Sequence, residues 1–176
     1  SDLGPNTFRV NEAVRRAMSE WSAGTDIPDF EIVPSLENAD IVVDRDLTEA
    51  TRDAQGCFKQ AQTYPTDECE QNYYRIKHAR VALGPDVLRG PRAQLVGTIT
   101  HELGHALGLF HSTNCTDVMF PLYFGQPEVQ SPSARDLRTL KHLYAKPSDA
   151  DLVKSLLPLG EAGVVPAQRS LASRYA

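Results

Sequence analysis

The sequence predicts an α+β fold. Three stretches of helical period and three short runs of strand character lie along one chain of 176 residues. The composition is 41% hydrophobic, enough to bury a real core, and the length suits one domain with or without a tail.

The first element is the helix expected over NEAVRRAMSEWSAG, Asn11 to Gly24. Val10, Ala13, Val14, Ala17, Met18 and Trp21 recur on one helical face, Asn6 or Thr7 can cap the start, and Gly24 is a suitable stop. DFEIV (29–33) and ADIVVD (39–44) follow. Both are short, rich in Val and Ile, and bounded by Pro, Asn or Asp, so both read as strands. Leu47 to Asn72 is polar without a period and reads as loop. YYRIKHARVALG (73–84) resumes strand character, as one strand or as two meeting near His78. Pro85 and Gly90-Pro91 punctuate a further loop.

A second helix is expected from Pro91 to Leu107. Pro91 suits the first position and Gly108 the left-handed residue past the end. Leu95, Ile99, Leu103 and Ala106 form its buried stripe. The third helix is SPSARDLRTLKHLYAK (131–146), capped by Ser131 or Ser133, with Leu137, Leu140, Leu143 and Tyr144 as its apolar face. Beyond Pro147 come a short helical candidate, DADLVKSLLPL, and the tail GEAGVVPAQRSLASRYA. This divides the chain into a domain over 1–146 and an extension over 147–176. No internal repeat or low-complexity segment interrupts it.

The net charge of −5, with acids and bases interspersed, argues against nucleic acid or an anionic membrane surface as partner. The apolar stretches are too short to cross a bilayer, and Ser1 to Pro5 lacks the basic start and apolar core of a signal peptide. The three cysteines are Cys57, Cys69 and Cys115. Cys57 and Cys69 flank a polar stretch, so a disulfide between them with Cys115 free is the expectation for an exported protein. Free thiols, or a pairing that uses Cys115, are the alternatives.

Three of the five histidines fall within THELGHALGLFH, Thr100 to His111. His101 and His105 are four apart on the expected helix, so their imidazoles share a face and can reach one ion. Glu102, one residue on, is rotated by about 100° and can serve as a base beside the metal, not as a ligand. Gly108 lets the chain turn sharply and bring back His111 as a third ligand. Three histidines leave zinc an open position for water, the arrangement of a catalytic site, in which the carboxylate assists attack of zinc-bound water. A closed structural site would need a fourth ligand. Cys115 offers one, but that reading leaves Glu102 without a purpose. The plainer alternative, ordinary core or surface histidines, does not account for five specified positions on a helix that ends where the motif turns.

His101-Glu102-x-x-His105-x-x-Gly108-x-x-His111 resembles the zinc signature of the metzincin peptidases, and Met119 sits where that clan has its methionine turn. Ser112, directly after the third histidine, and MFPLY (119–123) look like the matrixins, the matrix metalloproteinase family. AMSEWS, ADIVV and SPSARDLRTLKHLY resemble that family's first helix, a central strand and the last helix. The similarity spans most of Val10 to Tyr144, but only the zinc motif and the methionine turn are specific.

The resemblance implies a metzincin, or zincin-like, fold. A twisted mixed sheet carries two long helices, and the zinc cleft separates it from a lower subdomain with a C-terminal helix. It implies a secreted or extracytoplasmic endopeptidase acting on protein or peptide substrates. No nucleic-acid partner is expected, from the charge, and a monomer is the expectation for the oligomeric state. Met119 would support the floor of the site without ligating. Pro121 and Tyr123 would wall the pocket for the residue after the scissile bond, which should then be apolar, with Leu, Ile, Met and Phe ranked together. Several features depart from the family. Little room remains for a strand before the first helix, and the propeptide cysteine-switch motif is not present. Only His78 and His142 are left for a second, structural zinc, which is too few. Calcium is compatible with the family but not placed. The compact bacterial type of matrixin is the better analogy. Two other readings are a zinc-binding interaction module without catalysis, and an enzyme kept latent by its own tail through Val164, Val165, Leu171 and Tyr175.

Overall fold

The first helix, α1 (Thr7–Ser22), buries Val10, Ala13, Ala17 and Trp21 along one face, as its period dictates. The structure is a computed structural model and describes residues 4–23, 30–45, 61–70, 73–121 and 131–144. A short 3-10 turn, Gly4–Asn6, leads into α1. Asn6 stands at the cap position but makes no side-chain cap, and the helix ends with the Ala23 N–H on the Ser19 carbonyl at 3.0 Å. Gly24, the expected stop, lies outside the described residues.

Among the described residues the sheet has three strands, β1 (Ile41–Arg45), β2 (Ala61–Glu70) and β3 (Tyr73–Leu83), in the order β1-β3-β2. β1 runs parallel to β3, with Ile41 opposite Ala79 and Arg45 opposite Leu83. Two residues join β2 to β3, a connection that only antiparallel strands can make, so the sheet is mixed. Two expectations change here, and one alternative is decided. DFEIV forms no strand over its described residues: Pro34 ends the run without a donor, and Ile32 is half exposed, while Phe30 packs against the core. The polar stretch expected to be loop contains β2. Its alternation is weak and Pro65 interrupts it, but an edge strand needs donors on one side only. Residues 73–83 form one strand, not two.

The expected loop at Pro85 is instead a one-turn helix, α2 (Pro85–Arg89), with Pro85 at its start, where a missing N–H costs nothing. Its end is closed by the Gly90 N–H on the Asp86 carbonyl at 2.8 Å, and Arg9 of α1 reaches the Leu88 carbonyl at 2.9 Å. The long helix α3 (Arg92–Ala106) follows and packs on α1. Every residue from Leu95 to Gly104 is buried, so it is a core helix and not an amphipathic one. The last described helix, α4 (Ala134–Tyr144), starts with a reciprocal cap. The Asp136 N–H donates to Ser133 Oγ at 3.2 Å, and the Ser133 N–H donates to Asp136 Oδ2 at 2.8 Å. Leu140 is buried and Leu137 packs on the core, whereas Leu143 and Tyr144, expected on the same face, are about half exposed.

The chain divides into two compact units, Ser1–Thr66 with Ile76–Leu143, and Asp67–Arg75 with Tyr144–Ala176. The core belongs to the first, where α1, β3, α2 and α3 contribute Trp21, Leu83, Val87, Leu95, Ile99 and Leu103. Of the second, the described residues are the end of β2, the start of β3 and Tyr144. The tail beyond residue 144 lies outside the described residues.

Candidate active site

α3 carries the first part of the site and its end shapes the rest. Gly108 adopts φ +95°, a conformation that L side chains rarely hold. Its N–H bonds the His105 carbonyl and the Leu109 N–H bonds the Gly104 carbonyl, both at 2.9 Å, which closes the helix as a left-handed cap. The chain then reverses, and His111 comes back over the helix face that holds His101 and His105.

The three imidazoles converge. His105 Nε2 lies 3.0 Å from His101 Nε2 and 3.2 Å from His111 Nε2, and one ligand atom from each ring lies within 4.8 Å of the others. Tetrahedral zinc with bonds of about 2.05 Å would set neighbouring nitrogens about 3.3 Å apart. The tautomers agree with that use. His101 Nδ1 is 2.7 Å from the Val118 carbonyl and His105 Nδ1 is 2.8 Å from the Leu109 carbonyl. A carbonyl can only accept, so both Nδ1 atoms carry the proton and both Nε2 lone pairs point inward. Two lone pairs facing each other at 3.0 Å repel unless a cation lies between them. The donor set therefore fits a metal ion that prefers nitrogen. Burial reinforces the neutral form: it lowers His101 to about 4, against the hydrogen bond to Val118, and lowers His105 and His111 below the usual histidine range.

Glu102 is buried beside the cluster, outside it. Burial pushes its carboxyl up to about 7, opposed by the hydrogen bonds from Thr63. A carboxyl with that balance can both take and give a proton near neutrality. Beneath the cluster, Met119 is buried against Gly104. A Cβ at Gly104 would collide with the Met119 sulfur and stand 2.8 Å from Trp21 Cζ2, so the glycine is what lets the methionine approach the helix.

The loop from His111 to Met119 is held by polar bonds. Ser112 Oγ donates to Asp117 Oδ2 at 2.5 Å, and the Ser112 N–H donates to the Met119 carbonyl at 2.8 Å. Asp117 is also 3.6 Å from Arg135 Nε. Asp136, buried at the start of α4, accepts the Val118 N–H at 3.2 Å. One residue, Val118, thus takes a bond from His101 at its carbonyl and gives one to α4 from its N–H.

His101, Glu102, His105, His111 and Met119 come together as the motif requires. Pro121 follows the loop half-buried. Tyr123 lies outside the described residues, as do the Cys57–Cys69 pairing and the tail positions Val164, Val165, Leu171 and Tyr175. Cys115 is exposed, a free thiol, and not among the grouped ligands, so among the described residues it does not close the site. His78 is exposed on β3, away from any such group. Thr63 and Asp136 escaped the sequence reading. The Ser133-x-x-Asp136 capping pattern was a visible signal for the second, whereas nothing in sequence marked the first.

The family model described as Matrixin matches residues 3–145. The chain belongs to the matrixin family. Human matrix metalloproteinase-26 is 41% identical over 54 residues, which is 30% of this chain and 21% of that protein. Cat matrilysin is 41% identical over 61 residues, 34% of this chain and 23% of that protein. Rat stromelysin-2 is 32% identical over 163 residues, 82% of this chain but 30% of that protein. This matrixin thus spans less than a third of the length of these relatives.

Proposed function

We propose that this matrixin is a zinc-dependent endopeptidase. The observation that carries the reading is the convergence of three histidine nitrogens, two with their tautomer fixed by backbone carbonyls, beside a buried carboxylate that does not join them. His101, His105 and His111 would hold a zinc ion, which when bound would supply Lewis acidity toward a peptide carbonyl. Glu102 accepts a proton from the attacking water and returns it to the leaving amine, so the peptide bond gains one water in total. Met119 supports the floor of the ligands through Gly104 and does not bind the ion.

Pro121 and Tyr123 wall the pocket for the residue after the scissile bond. Pro121 fixes the backbone there, and burying a Leu or Phe side chain in such a pocket is worth about 1.5–3 kcal/mol, so apolar residues are preferred. The catalytic domain runs over 1–146, supported by the family match to residues 3–145. Among the described residues no helix is long and apolar enough to cross a membrane. Kinship with the matrixins, not that absence, is what supports an extracytoplasmic working compartment.

The test is Glu102→Ala in the full chain, with zinc counted by metal analysis and cleavage followed on an unfolded protein. One zinc per chain should remain, while cleavage falls by about 10²–10⁴-fold, the usual contribution of a positioned acid–base group. Zinc lost together with activity would make Glu102 structural, and undiminished cleavage would remove it from the mechanism.

A further inference from the structure

Thr63 stands 39 residues before Glu102, on β2, yet its hydroxyl meets the same residue twice. Oγ1 lies 2.6 Å from Glu102 Oε2 and 2.9 Å from the Glu102 main-chain carbonyl. We propose that Thr63 is a positioning residue for the reaction: its hydroxyl fixes the orientation of the Glu102 carboxylate. The proposal rests on the reading of Glu102 as proton acceptor.

The helix sets only the Cα of Glu102. Three side-chain torsions remain between that atom and the carboxylate, and each rotamer aims the oxygens differently. Burial has removed most of the water that would otherwise bond them. Among the described residues, Thr63 is the residue that bonds this carboxylate: its hydroxyl meets Oε2, and its main chain adds a further hydrogen bond. The single hydroxyl proton faces two acceptors, of which the carboxylate oxygen is nearer and stronger. A neutral hydroxyl can orient the group without neutralising it, as a lysine or arginine there would. The second contact adds a constraint. Because Oγ1 also sits against the Glu102 carbonyl, the strand at the edge of the sheet is tied to the helix at the same residue. Strand and base therefore keep a fixed separation along the wall of the site.

The experiment compares Thr63→Val and Thr63→Ser with the unaltered, zinc-loaded full chain and with Glu102→Ala. The probe is a fluorogenic peptide with Leu after the scissile bond. Thr63→Val keeps the shape and removes the hydroxyl. Its kcat should fall by roughly 10- to 100-fold, the scale of a misplaced catalytic group, with KM and zinc content unchanged. Thr63→Ser restores the hydroxyl and should restore kcat. Crystal structures of the three chains supply a readout independent of turnover: Oε2 should stay at position 63 with Thr or Ser and leave its place with Val. Thr63→Ala replaces Thr63→Val if the latter does not fold. Undiminished kcat in the hydroxyl-free variant, or an unmoved carboxylate, overturns the proposal, as does a Thr63→Ser chain as impaired as Thr63→Val. If the unaltered chain cleaves no better than Glu102→Ala, the endopeptidase reading fails, and the carboxylate position still decides whether Thr63 orients it.

Discussion

The two halves of the histidine motif are built differently. His101 lies on a helix whose residues from Leu95 to Gly104 are all buried, and its Nδ1 is fixed by the Val118 carbonyl. His111 lies on a segment where Phe110, Thr113, Cys115 and Thr116 are exposed and where order comes from polar bonds among Ser112, Asn114 and Asp117. Apolar packing holds the first half whether or not an ion is present. The second half depends on short hydrogen bonds near the surface and on what the ring itself grips. The difference teaches that this site is half preformed: the helix presents two nitrogens in register, and the loop closes on them.

The contrast is tested most severely by zinc itself. Zinc at about 100 to 1,000 times its Kd should stabilise the chain by about 2.7–4.1 kcal/mol, read as a rise in Tm, and both His101→Ala and His111→Ala should abolish that rise. Without zinc the two should part. His101→Ala strands a buried carbonyl and should cost about 1–3 kcal/mol, while His111→Ala should stay within about 0.5 kcal/mol. Equal losses in the metal-free protein would break the comparison.

Gly104→Ala probes the packed half alone. Helix propensity would favour the alanine by about 1 kcal/mol, but the new Cβ meets Met119 and Trp21, and overpacking of this kind costs about 1–3 kcal/mol. A lower urea midpoint is expected, and a higher one would show that the methionine can yield.

The smallest effect belongs to the polar side. Ser133→Ala removes the cap of α4 and should cost about 1 kcal/mol in denaturant unfolding, with zinc affinity unchanged because Asp136 keeps its bond to Val118. A fall in zinc affinity as large as that of a histidine variant would show that the cap, too, sets the ligand geometry.

The legible parts of the fold were those whose side chains carry a period. α1 and α3 show theirs plainly, and the five fixed positions from His101 to His111 predicted a convergence that the Gly108 turn delivers. DFEIV misled because composition favours a strand, while Pro34 lacks a donor and the described residues 30–33 form none. β2 was hidden for the opposite reason. Its pairing is a property of the backbone at a sheet edge, and side chains such as those of AQTYPTDECE hardly report it. Thr63 and Asp136 are ordinary polar residues far from the motif in sequence. Only the folded chain brings one to the Glu102 carboxylate and the other to the Val118 N–H.

Val118 has a consequence for synthesis. Its N–H is held by α4, which begins 16 residues beyond it, and its carbonyl holds the first histidine. A nascent chain that has emerged only as far as Met119 already owns all three imidazoles, yet it lacks the carboxylate that anchors the Val118 N–H. The site can be assembled in its final form only after α4 has left the ribosome, so completion of the histidine cluster waits on a helix that carries none of its ligands.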